Sequence, residues 1–356
     1  MNKILLDDPD KIKKIDLSDE LKLIAAFPEQ CRSAVNTGRS LKFNGSYSGC
    51  ENIVYSGMGG SAIGADLVRS YLMHDACIPI YVNRDYVIPK FVSSRTLFIA
   101  SSYSGDTEET LSAYGLAKKK NARIMVITSG GKLADMASKD EFACIRMPSG
   151  YPPRCAVGLS FFLSLFSLIK SGYADERAGD IDEAVGMLRA LRDEKLSIGV
   201  KCSMNISKQI AMAVYEKYPV IYGASDRVDS VAIRWRGQFA ENAKHLASSQ
   251  LFPEMNHNEI AGWQNPSSLS DGFVAIFLRD AGEDKRVSKR ISITRDILKK
   301  EDFETMEVSS AGDSALSRML SLIYIGDFAS FYLAVLNGVD PTPVDKIVYI
   351  KRKLNR

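Results

Sequence analysis

A short β-rich run, Asn52-Ile53-Val54-Tyr55-Ser56, breaks into Gly57-Met58-Gly59-Gly60-Ser61 and passes directly into a helical pattern from Ala62 to Leu72. Few folds accept a strand that turns through glycines into a helix, because such a turn bends tightly and leaves backbone amides open at a helix mouth. Further apolar runs follow at Ile78–Val82, Thr96–Ala100, Arg123–Thr128 and Ala143–Met147, and a helix opens at the Ser101–Thr107 turn and runs to about Lys120. Strands alternating with helices predict an α/β domain with a parallel sheet flanked by helices. The second half repeats the pattern. Pro219–Ser225 parallels Asn52–Met58, with a helix after each, and Gly272–Arg279 takes the place of the Thr96 strand. An internal duplication is the economical explanation. A chain of 356 residues is also too long for one ordinary core.

The expected organisation is a helical arm over residues 1–35, broken near Pro28, a first domain over 36–190 and a second over 191–356. A charged helical connector, Asp175 to Lys195, falls near the junction, and an apolar helix, Ala315 to Leu336, leads to Asp340-Pro341-Thr342-Pro343-Val344 and a basic terminal helix. With 46 basic against 43 acidic residues there is no broad cationic surface for nucleic acid, so any anion site must be local. The six cysteines are scattered, with no CxxC, which signals neither a zinc site nor a disulfide framework and suits a reducing cytoplasm. The amino terminus has no signal-peptide core, and the apolar run Cys155–Ile169 falls short of a membrane span and reads as a buried helix.

Chemistry concentrates in a few places. Ser102, Ser104 and Thr107 form an S-x-S-G-x-T turn at a helix start, where unpaired N–H groups and the helix dipole favour an anion. Capping needs one hydroxyl, so three within six residues favour phosphate; no lysine follows the glycines as in a nucleotide-triphosphate loop. The glycine turn with Gly60 and Ser61 could serve a dinucleotide, but no acidic residue closes the next strand to meet a ribose. The counterpart turn of the second half, Asp280-Ala281-Gly282-Glu283-Asp284, is acidic and would repel phosphate. Arg154 follows two prolines at the start of an apolar helix, which keeps its guanidinium at the helix mouth or on the surface.

The segment Gly237–Trp263 places Glu241 in a run, Arg234–Ala247, that reads as a helix, and then delivers His257 between Asn256 and Asn258 in a loop. A carboxylate and an imidazole are readily tuned to move protons near neutral pH. His245, four residues after Glu241, offers a plainer role for the carboxylate, an ion pair of about 0.2–0.5 kcal/mol on one helix face.

The segments SGMGGSAIG (56–64), SSYSGDTEET (101–110), PSGYPPR (148–154), GQFAENAKH (237–245) and PEMNHNEIAGW (253–263) together resemble the bifunctional phosphoglucose/phosphomannose isomerases of archaea and some bacteria. These belong to the phosphoglucose isomerase superfamily and are built from two sugar isomerase (SIS) domains. The resemblance implies that Ser102, Ser104 and Thr107 grip the sugar phosphate, that Gly60 and Ser61 touch substrate, and that Arg154 stabilises a developing enediolate. It makes Glu241 the base and gives His257 the role of assisting ring opening across the interface of a homodimer. A lysine of the last helix is expected near the ring oxygen; the ending Asp340–Lys351 places it at Lys351, with Lys346 as the rival. Val344 stands where some relatives carry a threonine thought to widen tolerance to mannose.

So read, the chain is a cytoplasmic isomerase that interconverts glucose 6-phosphate, and by the same resemblance mannose 6-phosphate, with fructose 6-phosphate. No metal or redox cofactor is required, and no nucleic acid or membrane is expected as a partner. A non-catalytic SIS module sensing a sugar phosphate is the competing reading. A zinc-dependent mannose phosphate isomerase is disfavoured, since the three histidines form neither H-x-H nor H-E-x-x-H.

Overall fold

Strand β1 (Asn52–Ser56) sits inside a five-stranded parallel sheet, with β2 (Ile80–Asn83) on one side and β3 (Thr96–Ser102), β4 (Arg123–Thr128) and β5 (Ala143–Arg146) in succession on the other. The structure is a computed structural model that describes residues 2–43, 47–265 and 271–354, and these divide into two compact units, 26–185 and 1–25 with 186–356. In the first unit β3 is buried at every position, as a central strand covered on both faces requires. The chain leaves β1 towards β2 and returns on the opposite side at β3. Their carboxyl ends therefore flank a switch point, the usual place for a ligand in an open parallel sheet.

The helix Phe27–Ser40, with Pro28 in its first turn, packs on the apolar helix Val157–Lys170. Contact is close enough that a Cβ at Gly38 would lie 2.4 Å from the Phe166 ring. Gln30 bridges the start of the apolar helix: its amide donates to the Cys155 carbonyl and accepts from the Gly158 N–H, both at 2.8 Å. That bond pair fixes the turn carrying Arg154.

The second unit holds a four-stranded parallel sheet in the order β7 (Ser248–Phe252), β6 (Tyr218–Ala224), β8 (Phe273–Arg279), β9 (Glu304–Ser309). This repeats the order β2-β1-β3-β4 of the first sheet. Helix Ala315–Leu336 is long and apolar enough to cross a membrane by length and composition, but all of it except Ala315 and Arg318 is buried in the core of this unit.

Residues 1–25 are held to the second unit by polar links. Lys208 is fully buried and donates to Asp7 Oδ1 (3.1 Å) and to the carbonyls of Ile198 (2.9 Å) and Val200 (2.7 Å), and Thr342 Oγ1 donates to Glu20 (2.7 Å). Burial alone would raise the Asp7 carboxyl, but hydrogen bonds from Cys202 and Lys208 hold it below the ordinary carboxylate range. A carboxyl lowered on folding stabilises the native state above its unfolded pKa, and the contribution disappears as pH falls through the folded value. The Asp7 link is accordingly complete at neutral pH and lost in acid below about pH 4. Replacing Asp7 with Asn leaves a buried ammonium without its anion, so denaturant unfolding at pH 7 should show a loss of about 3 kcal/mol, shrinking in that acid range.

Candidate active site

Two hydroxyls face each other where β3 gives way to helix Glu108–Lys119. Ser102 Oγ and Thr107 Oγ1 lie 2.8 Å apart, and Ser102 Oγ also accepts from the Gly105 N–H (3.1 Å). Thr107 occupies the N-cap position, yet its side chain makes no capping bond. Plain helix capping therefore does not account for this threonine. Ser104 Oγ accepts weakly from Asp106 N–H at 3.3 Å and is exposed. The turn depends on glycine: Gly105 has φ +77°, and a Cβ there would fall 1.8 Å from the Gly130 carbonyl oxygen.

Tyr103, within the turn, joins three loops that sequence patterns alone do not link. Its N–H donates to Ser61 Oγ (3.0 Å), its hydroxyl donates to the Pro148 carbonyl (2.9 Å), and the same hydroxyl accepts from Tyr151 N–H (2.9 Å). Burial pushes the phenol above its ordinary value, so it remains a donor throughout the neutral range. The PSGYPPR segment is thereby held against the hydroxyl turn, and Gly60 closes on its far end, where a Cβ would lie 2.5 Å from the Pro153 carbonyl oxygen. Arg154, on the short 3-10 turn Pro153–Cys155, is 4% exposed. An ordinary surface arginine is excluded. The first unit thus assembles Gly60, Ser61, Ser102, Thr107 and Arg154 into one neighbourhood, with Ser104 at its rim.

The second unit carries Glu241, His257 and Lys351 on separate elements. The helix expected over Arg234–Ala247 runs instead from Asp229 to Glu241, because Lys244 takes a left-handed conformation (φ +53°) and turns the chain away. The i,i+4 ion pair with His245 does not form. His245 lies against the Lys217 carbonyl through Nε2 (2.6 Å) and against the Asn337 amide through Nδ1 (3.4 Å). Lys244 Nζ donates to the carbonyls of Glu241 (3.0 Å), Asn242 (3.2 Å), Asp340 (2.9 Å) and Pro341 (2.7 Å), a cation closing a helix carboxyl end.

Below Glu241 the helix is locked to Ala315–Leu336 by a buried polar ladder that the sequence patterns did not disclose. Arg234 donates to Asp327 Oδ2 (2.7 Å), Gln238 to Asp327 Oδ1 (3.0 Å) and Asn242 to Ser330 Oγ (2.9 Å). Burial raises the Asp327 carboxyl against the opposing pull of Arg234. A signal was available in Asp327 itself, a lone carboxylate within an apolar helix. His257 ends the 3-10 turn Glu254–His257 and is exposed; Lys351 and Lys346 lie on the terminal helix Asp345–Leu354, which buries no residue. Among the described residues the side chains of His257 and Lys351 have no hydrogen bond or ion pair.

Two parallel sheets of one order, with residues 203–354 matching the Bacterial phospho-glucose isomerase C-terminal SIS domain, define an α/β protein of the SIS class. A hypothetical protein from Thermus thermophilus shares the fold, with a TM-score of 0.71 at 14% identity, covering 100% of this chain and 94% of that one. The chain belongs to the bifunctional phosphoglucose/phosphomannose isomerase family. It is 44% identical to the member from Caldicellulosiruptor bescii over 92% of this chain and 96% of that protein. Identity to the Aquifex aeolicus member is 35%, covering 86% and 91%.

Substituting Tyr103 with Phe removes the hydroxyl that bridges Pro148 and Tyr151 and should lower stability by about 0.5–1.5 kcal/mol in denaturant unfolding. Substituting Asp327 with Ala removes the buried acceptor of the Arg234 and Gln238 bonds. The corresponding loss should be about 3–5 kcal/mol.

Proposed function

We propose that this chain is a metal-independent isomerase that interconverts glucose 6-phosphate and mannose 6-phosphate with fructose 6-phosphate through a cis-enediolate. The observation that carries this reading is the Ser102–Thr107 hydroxyl pair at an uncapped helix start, on a chain related over most of its length to bifunctional phosphoglucose/phosphomannose isomerases.

In this mechanism Ser102, Ser104 and Thr107 hold the phosphate dianion with hydroxyls and helix amides, while Gly60 and Ser61 line the approach. Fixing the remote end of the sugar lets its binding energy orient the reacting carbons. His257 and Lys351 move the proton that opens the ring. Glu241 takes the proton from C2 to form the enediolate and returns it to C1, and one carboxylate suffices because the two carbons are adjacent. Arg154 stabilises the negative oxygen as it develops; its burial supports that role, because a charge in a dry setting acts strongly on another.

The exposed imidazole of His257, which makes no hydrogen bond or ion pair among the described residues, supports its contribution across the interface of a homodimer. Lys351 is preferred to Lys346 on the alignment of the Asp340–Lys351 ending alone, since both lie exposed on one helix. The enzyme is placed in the cytoplasm, in glycolysis and gluconeogenesis, where its substrates and product interconvert. A module that only sensed a sugar phosphate would leave Glu241 and His257 without a role.

A coupled assay on glucose 6-phosphate and mannose 6-phosphate, with a chelator present, should show turnover of both sugars. Binding without turnover would establish the sensing module, and activity abolished by the chelator would establish a metal enzyme. Glu241→Gln should lower kcat by about 10²- to 10⁴-fold while inorganic phosphate binding is retained. Undiminished turnover would remove Glu241 from the mechanism.

A further inference from the structure

His257 is exposed, yet the turn that carries it is anchored on both sides. Before it, Asn256 Nδ2 donates to Thr294 Oγ1 (2.8 Å); after it, Asn258 donates to Glu254 Oε1 (2.9 Å) and its side-chain oxygen accepts from Glu259 N–H (2.6 Å). Two residues beyond His257, the Glu259 carboxylate accepts from the Tyr222 hydroxyl at 2.5 Å, and that hydroxyl accepts from Trp263 Nε1 at 2.8 Å. Tyr222 is fully buried on β6 and stacks on Phe277 with centroids 5.3 Å apart, and Trp263 meets Phe303 edge-on at 4.8 Å. Tyr222 thus connects the polar bonds of the Glu259–Gln264 turn to the aromatic core of the sheet. Desolvation, with Glu259 beside it, pushes the Tyr222 phenol far up, so it stays a donor.

An imidazole that moves a proton must sit within about 2.6–3.2 Å of its target. His257 has no side-chain hydrogen bond within the described residues to hold it there, so its placement depends on the backbone beneath it. We propose that Tyr222, Glu259 and Trp263 are positioning residues that hold the His257 turn at the height and angle needed for ring opening. The proposal rests on the role given to His257 above. Its selective consequence falls on ring opening rather than on proton removal by Glu241, which stands on a different helix with its own ladder.

The test compares Tyr222→Phe, Glu259→Ala, Glu259→Gln and His257→Ala by kcat/KM on glucose 6-phosphate, and on the same sugar carrying deuterium at C2. Misplacing the turn by on the order of 1 Å should cost Tyr222→Phe and Glu259→Ala about 10- to 100-fold in kcat/KM. Ring opening then limits the reaction, so the deuterium effect should fall towards unity. Glu259→Gln keeps an oxygen to accept from Tyr222 and should retain activity within about threefold, its bond weaker without the charge. A loss that merely follows the amount of folded enzyme, with an unchanged deuterium effect, overturns the proposal, as does full activity in both disruptive variants. Should Tyr222→Phe fail to fold, Glu259→Ala on its half-buried turn decides the matter. If His257→Ala leaves rate and deuterium effect unaltered, the role of His257 itself fails; if it suppresses both and the network variants do not, the positioning claim alone fails.

Discussion

The first amides of helix Glu108–Lys119 have no carbonyl of their own helix to accept them, and the residue placed to cap them does not. Thr107 turns its hydroxyl to Ser102 instead, so both groups stay at the helix mouth beside its first N–H groups. A dianion there gains from the helix dipole and from neutral donors without requiring a fixed cation, which suits a chain whose net charge is only +3. The surrounding architecture converges on this turn. Left-handed Gly105 and Gly131 let the turn meet the next loop, the carboxyl ends of β1 and β3 bring Gly60 and Ser61 alongside, and Tyr103 holds the Arg154 segment across the same opening.

The second sheet shows what the same topology does without that demand. Its equivalent turn after β8 is filled by its own ion pairs: Arg279 binds Glu283 and, at 2.5 Å, Glu307, while Arg318 Nε binds Asp280 at 2.5 Å. Helix Lys285–Lys300 is capped conventionally by Asp284, whose carboxylate accepts from Arg286 N–H at 2.8 Å. Carboxylates thus occupy the place where the first sheet keeps hydroxyls, and arginines neutralise them. A duplicated fold need not duplicate a site, because two or three side chains at one turn decide whether it is open to an anion or already satisfied.

Strands with strong apolar character were plain in the sequence: β1 and β4 have their expected ends, and helix Ala315–Leu336 has both of its own. Strand β7, Ser-Ser-Gln-Leu-Phe, was not, since an edge strand with mostly polar side chains carries no apolar alternation to read. The helix carrying Glu241 was legible in its segment, but its end was not, because Lys244 enters a left-handed conformation with no glycine to announce it. Tyr103 stood in view within the hydroxyl turn. Its function as a clamp depends on Ser61, Pro148 and Tyr151, which only the folded sheet brings near.

The ladder under Glu241 bears on how a carboxylate at a helix end is held in place. Leu or Met at Arg234 and Asp327 could pack a core equally well, and a buried ion pair adds little net stability because both charges are stripped of water. What the pair and its neighbours supply is direction. Bonds from Arg234, Gln238 and Asn242, spaced four residues apart along one face, fix the rotation of the helix about its axis, and apolar contacts tolerate slippage that such bonds do not. Lys244 then closes the last carbonyls and prevents the terminal turn from fraying. For the proton shuttle proposed for Glu241 such a helix end is a rigid footing, because a small misplacement of a reacting group costs rate steeply.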